Sequence, residues 1–115
     1  MQIQTNTDRN ITGSEGLAAQ AQTIVEAALA RFSDQITRVE IHLSDENGSR
    51  GGNEDKRCVM EARLEGRPPI AVTHQAATVA AAMAGAADKL QRAIETTFGR
   101  LRDGDRAPER GEPTR

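Results

Sequence analysis

The sequence predicts an α+β domain of order β-α-β-β-β-α, a four-stranded sheet with two helices packed on one face. Two patterns carry this. Apolar residues recur at a helical period over 17–32 and over 79–101, and they alternate with polar residues over 38–44 and 57–65. Composition sets the scale: 115 residues, 37% hydrophobic and 28% charged, suit one small globular domain, too apolar for a disordered chain and too polar for a membrane one.

In order along the chain, residues 2–7 alternate weakly, with Ile3 and Thr5 on one face, and read as a short polar strand. Thr12 or Ser14 then caps a helix, and Glu15 suits its positive end. Leu17, Ala21, Ile24, Val25, Ala28, Leu29 and Phe32 form its one-sided stripe, and Ser33-Asp34 ends it. Val39, Ile41 and Leu43 alternate with Arg38, Glu40, His42 and Ser44, which gives a half-buried strand. The Gly-rich, charged run Asp45 to Asp55 is expected to be a flexible loop. Cys58, Met60, Ala62 and Leu64 define the next strand, Gly66-Arg67-Pro68-Pro69 a turn, and Ile70 and Val72 a last short strand. From about Gln75 to Leu101 the stripe Val79, Met83, Ala86, Ala87, Leu90, Ile94, Phe98 and Leu101 predicts a helix about 40 Å long. Gly85 and Gly99 are expected to weaken it locally. Residues 1–102 form the domain in this reading, and 103–115 a disordered tail.

A sheet with one apolar face per strand and helices with one apolar stripe each are buried most economically as two layers. The strand-helix-strand unit makes the first two strands parallel if they are neighbours. The other sheet face then carries Arg38, Glu40, His42, Glu61 and Arg63, polar and mixed in sign. With two Phe, no Tyr and no Trp, the core is aliphatic and thin, and no base-stacking platform exists.

The net charge of −2 excludes a uniformly basic nucleic-acid binder but leaves room for a local patch. Residues 75–102 carry Lys89, Arg92, Arg100 and Arg102 against Asp88 and Glu95, so the last helix is the clearly cationic element. At about 100° per residue, Lys89, Arg92 and Arg100 fall within roughly 80° of one another, away from the apolar stripe. Such a row can neutralise a few phosphates, and the plain alternative is a solvated face with local ion pairs from Asp88 and Glu95. His42 and His74 have no third ligand at metal spacing and read as ordinary surface histidines, His74 at a strand-to-helix junction where it can cap or touch RNA. Cys58 alternates in phase with the core and reads as a small buried hydrophobe. Gly48, Gly51 and Gly52 do not precede a helix and form no phosphate cradle. The carboxylate pairs Asp45-Glu46 and Glu54-Asp55 fall in the expected loop, too mobile for catalytic geometry. No catalytic constellation, metal set or cofactor motif is present, so an enzyme is not expected. No apolar run nears 18 residues and no signal pattern opens the chain, so neither a membrane span nor export is expected.

The element order together with Asp88-Lys89-Leu90-Gln91-Arg92, preceded by Ala81-Ala82, resembles the ribosome hibernation-promoting factor and ribosome-associated inhibitor family, also labelled sigma-54 modulation proteins. Ile3, Thr12, Leu17, Val25, Leu29, Ile36, Val39, Ile41 and Leu43 follow the same pattern over roughly residues 1–102. The resemblance implies a fold akin to double-stranded RNA-binding domains. It also implies a cytoplasmic, non-catalytic factor of the short type that occupies the small ribosomal subunit where tRNA and mRNA sit, silencing idle ribosomes under stress. Its partner would be rRNA, with no DNA and no membrane. Lys89, Arg92 and Arg100 would grip phosphates, with Arg102, Arg31 and His74 as weaker contacts. The chain departs from the family in having Arg31 as the sole cation of helix one, Ala80 and Ala84 where a Tyr and an Asp are usual, and a longer, more acidic loop. An interaction or homodimerisation module on the same fold, with weakened RNA affinity, is the competing reading.

Overall fold

The computed structural model describes residues 1–8, 11, 14–46 and 55–105; for 14, 15 and 100–105 it describes the backbone. Four strands form one sheet in the order β1-β2-β3-β4: β1 Gln2–Thr7, β2 Ile36–Asp45, β3 Lys56–Leu64 and β4 Ile70–Ala76. β1 runs parallel to β2, and the remaining pairs are antiparallel. The helices are α1, Ser14–Leu29, and α2, Val79–Asp105. This is the expected α+β order with both helices on one face.

The alternation of the strands decides which face is covered. Val39, Ile41 and Leu43 of β2 and Cys58, Met60 and Ala62 of β3 are buried in register beneath the helices. Ala21, Val25 and Leu29 come down from α1, and Met83, Leu90 and Ile94 from α2. Ala82, Ala86 and Ala87 are buried as well, and their small side chains let α2 lie close to the sheet. This is how a chain with two rings fills its interior.

α1 tightens at its end into a 3-10 turn, Ala30–Phe32, and the chain reverses through Gln35 N–H on Phe32 O at 2.9 Å. Phe32 thus leaves the helix proper but keeps its place on the stripe. Between β3 and β4, Gly66 adopts φ +70°, a left-handed conformation that a side chain would strain.

Three boundaries differ from expectation. β4 continues to Ala76 where a helix was expected from Gln75; its helix-facing residues Val72, His74 and Ala76 keep strand alternation. α2 starts after Thr78, whose hydroxyl accepts the Ala81 N–H at 3.1 Å and whose carbonyl accepts the Ala82 N–H at 3.0 Å. The helix also runs past Leu101 to Asp105, while residues 106–115 of the expected tail lie outside the described residues. The caps proposed at Thr12 and the Ser14 side chain, and loop residues 47–54 with Gly48, Gly51, Gly52 and Glu54, also lie outside them.

The ends of the expected mobile loop are a correction. Asp45 closes β2 and Asp55 precedes β3, and both are buried. Lys56 Nζ bridges them, 2.9 Å from Asp55 Oδ1 and 3.4 Å from Asp45 Oδ2, and the Glu46 N–H donates to Asp55 O at 2.9 Å. A buried carboxylate needs a charged or donor partner, and Lys56 supplies one to both. The Lys56 hydrogen bond holds the Asp55 carboxyl below its ordinary range, and the same contact raises Lys56.

Candidate nucleic-acid interface

α2 carries the candidate cations on its solvent side because its stripe is spent on the sheet. Lys89, Arg92 and Glu95 follow at three-residue steps, each turning the side chain about 60° further round the helix. Lys89 is exposed beside β4, and its Nζ donates to the carbonyl of Thr73 at 2.9 Å. Thr73 belongs to β4, the edge strand of the sheet, where free backbone groups offer hydrogen bonds to any passing chain. Lys89 therefore covers one edge acceptor while standing in solvent.

Arg92 is one step on. Its Nη2 lies 3.1 Å from Asp88 Oδ2, and 76% of its side chain remains accessible. A further step leads to Glu95, which faces the end of α1. Arg31 Nη2 reaches it from the 3-10 turn at 2.5 Å, and Gln91 Nε2 donates to the same Oε2 at 3.4 Å. Arg31 is also seated from below: its Cζ lies 5.1 Å from the centre of the Phe32 ring. Phe32 in turn stacks on Phe98 of α2, with centroids 5.8 Å apart and planes 16° from parallel. Both phenyl rings of the protein thus serve to join the end of α1 to α2, and Phe32 supports one guanidinium.

The expected site residues are therefore placed unequally. Lys89, Arg92 and Arg31 form one diagonal row over α2, with Asp88 and Glu95 set among them. Arg100 and Arg102 lie on the last turns of α2, and their side chains fall outside the described residues. His74 is not at a junction, as its place in the sequence suggested. It lies within β4 on the helix-facing side, half-buried, with its ring against the backbone of Gly85. Gly85, expected as a weak point of the helix, is the position where a Cβ would collide with that imidazole.

The far sheet face carries the mixed charges read from the sequence, joined in a ladder. Glu40 binds Arg38 at 3.1 Å and faces His42 at 3.7 Å, while Arg63 lies 3.5 Å from Glu61 and 4.0 Å from Glu40. Arg38 also donates to Gln4 on β1. At the end of the sheet, Glu46 receives Arg57 at 3.3 Å and Gln75 at 3.0 Å. Arg38 stands across from Arg63 and Glu40 across from Glu61, so the ion pairs run along each strand and diagonally between them, offsetting the like charges that face one another and leaving this face close to neutral.

The family model described as sigma 54 modulation protein / S30EA ribosomal protein matches residues 5–102. The chain belongs to this family. Membership makes it a ribosome-associated modulation factor by descent. Solved structures share the fold. The N-terminal domain of Protein Y from Thermus thermophilus superposes with a TM-score of 0.67 at 19% identity, covering 84% of this chain and 99% of that one. A ribosomal subunit interface protein from Coxiella burnetii gives 0.66 at 17% identity, covering 86% and 99%. No curated protein matches the sequence significantly.

Sequence reasoning placed the S30EA-family cations on one helix and named Asp88 and Glu95 as local partners. It missed that Glu95 pairs with Arg31, 64 residues away, because helix-to-helix neighbours leave no periodic trace. It missed Thr73 and Gly85 for the same reason. Among the described residues, no group of three or more His, Cys, Asp or Glu is placed to hold a metal ion, and no helix is long and apolar enough to cross a membrane.

Proposed function

We propose that this S30EA-family protein binds the small ribosomal subunit through the solvent side of α2 and the end of α1, and restrains translation by occupancy, without catalysis. The observation that carries the reading is the family match over residues 5–102, which spans every element bearing the cationic row. The physical fit is with folded RNA. A chain without Tyr or Trp has little to stack on single-stranded bases, whereas Lys89, Arg92 and Arg31 stand exposed on or beside α2, where a phosphate can reach them. The neighbouring protein described as a ribosomal subunit interface protein supports the same partner. Action at the ribosome puts the protein in the cytoplasm.

Three phosphate contacts give a modest salt dependence, a log–log slope of roughly −2 to −3. Co-sedimentation with purified small subunits at low and moderate salt tests the proposal. Co-migration that weakens with salt and falls in the Lys89→Glu, Arg92→Glu double variant is expected. No co-migration at low salt overturns it.

One observation favours the second reading, an interaction or homodimerisation module. Lys89, Arg92 and Arg31 each hold an acceptor within the protein, so the helices present no continuous positive face among the described residues. Self-association at micromolar concentration by analytical ultracentrifugation, without small-subunit binding, would select that reading.

A further inference from the structure

Two acidic residues, Asp88 and Glu95, are set among the cations of the proposed RNA site. Glu95 has no role in the core: its side chain is 39% accessible, and it accepts from Arg31 at 2.5 Å and from Gln91 at 3.4 Å. Arg31 meanwhile keeps 69% of its side chain accessible and is held in place independently, over the Phe32 ring that stacks on Phe98. The guanidinium is thus positioned by aromatic packing and neutralised by a carboxylate, and the two effects are separable. Asp88 stands to Arg92 in the same relation at 3.1 Å, as an exposed pair one helical turn apart.

We infer that Glu95 is an affinity-setting residue: its carboxylate occupies on Arg31 the place an RNA phosphate oxygen would take, and binding must exchange one for the other. This rests on the RNA reading above and adds the means by which its strength is limited. A carboxylate and a phosphate oxygen offer the same acceptor geometry to a guanidinium, so the two compete for the same N–H groups. An exposed ion pair is a weak competitor, so the exchange is a graded brake, opened by a ligand that offers several phosphates together. Asp88 does the same for Arg92 to a smaller degree, because both members of that pair are more than half accessible and more fully screened. Two of the three cations in the row are then restrained by carboxylates, and a protein of net charge −2 keeps a phosphate site that engages dense RNA in preference to stray anions.

The test compares Glu95→Gln with Glu61→Gln. Glu61 lies on the opposite sheet face and also pairs with an arginine, Arg63, at 3.5 Å, so the control removes the same charge from an arginine-bound carboxylate away from the α2 row, while Arg63 stays beside Glu40. A labelled 20-base-pair RNA duplex is titrated with each full-length variant over a salt series, with circular dichroism confirming the fold. Glu95→Gln should bind about two- to tenfold more tightly than Glu61→Gln, with a salt slope steeper by about one. Adding Arg31→Ala to Glu95→Gln should abolish the gain, which shows that it passes through Arg31 and not through net charge. Asp88→Asn should give a smaller gain that persists without Arg31. If Glu95→Gln binds the duplex no more tightly than Glu61→Gln, including the case in which neither binds, the inference is overturned. Small-subunit co-sedimentation of the unaltered protein judges the RNA reading separately: a gain on the duplex without small-subunit binding would keep the competition and discard the ribosomal partner.

Discussion

The imidazole of His74 lies against the bare backbone of Gly85, so the β4–α2 contact depends on a helix position without a side chain. In an exposed helix, Gly→Ala gains up to about 1 kcal/mol from backbone entropy. Here the new Cβ would overlap the ring, and overpacking of this kind costs about 1–3 kcal/mol. Gly85→Ala should therefore destabilise the protein, whereas the same change made in a His74→Ala background should be neutral or stabilising. Urea denaturation of the four proteins in the cycle measures this. Equal effects of Gly85→Ala in both backgrounds would refute the contact.

Lys89 supports both an edge acceptor and the proposed interface, and the two roles separate by experiment. The Thr73 carbonyl it covers is open to water when Lys89 is removed, so Lys89→Gln should change stability by no more than about 0.5 kcal/mol. The same variant should lose about one unit of the salt slope for small-subunit binding. A large loss of stability would mark Lys89 as a structural residue first.

The stacked pair Phe32 and Phe98 should couple energetically. A double-mutant cycle with Phe32→Leu and Phe98→Leu is expected to show about 0.5–1.5 kcal/mol beyond additivity. Proton NMR of the Arg31 side chain should change in both single variants, since the guanidinium rests on Phe32.

The Asp45–Lys56–Asp55 cluster gives stability a pH dependence of definite sign. Asp55 titrates below its ordinary value because Lys56 bonds its ionised form. Its contribution is therefore fully present above the unfolded carboxyl pKa of about 4 and is lost as the pH falls through the lower folded value. Lys56 is raised, so its share is present at neutral pH and lost only as alkali removes its proton. Asp55→Asn should flatten the acid limb of a thermal-melting profile between about pH 5 and 2. Lys56→Met should be the more damaging change at pH 7, because it takes the cation from the buried Asp55 carboxylate.

Cys58 should be inert in the folded protein. It is fully buried in β3, and burial pushes its thiol up to about 12. Iodoacetamide at pH 8 should leave it unmodified until denaturant is added, because the thiolate is the reactive species. Rapid labelling of the native protein would contradict its place in the core.

Much of this fold is legible in local pattern. The two-residue alternation of β2 and β3 and the helical stripes of α1 and α2 placed Val39, Ile41, Leu43, Met60, Val25, Met83 and Leu90 inside, where they are. The errors fell where pattern is weak. The edge strand β4 alternates half-buried with exposed residues, so its run to Ala76 looked like the start of a helix. The charged ends of the expected loop read as solvated, yet Asp45 and Asp55 are buried on Lys56, a pairing between the ends of two strands that periodicity does not encode.

The same division holds for the site. Helical pitch alone keeps Lys89 and Arg92 of α2 off its apolar stripe. It also makes Asp88 and Arg92 neighbours, one turn apart. The meeting of Arg31 with Glu95 over two stacked rings, the seat of His74 against Gly85 and the reach of Lys89 to the carbonyl of Thr73 come from the packing of separate elements. Each of these joins residues from different elements. Their distance is set by how the helices settle on the sheet, and that is a property of the whole packed core.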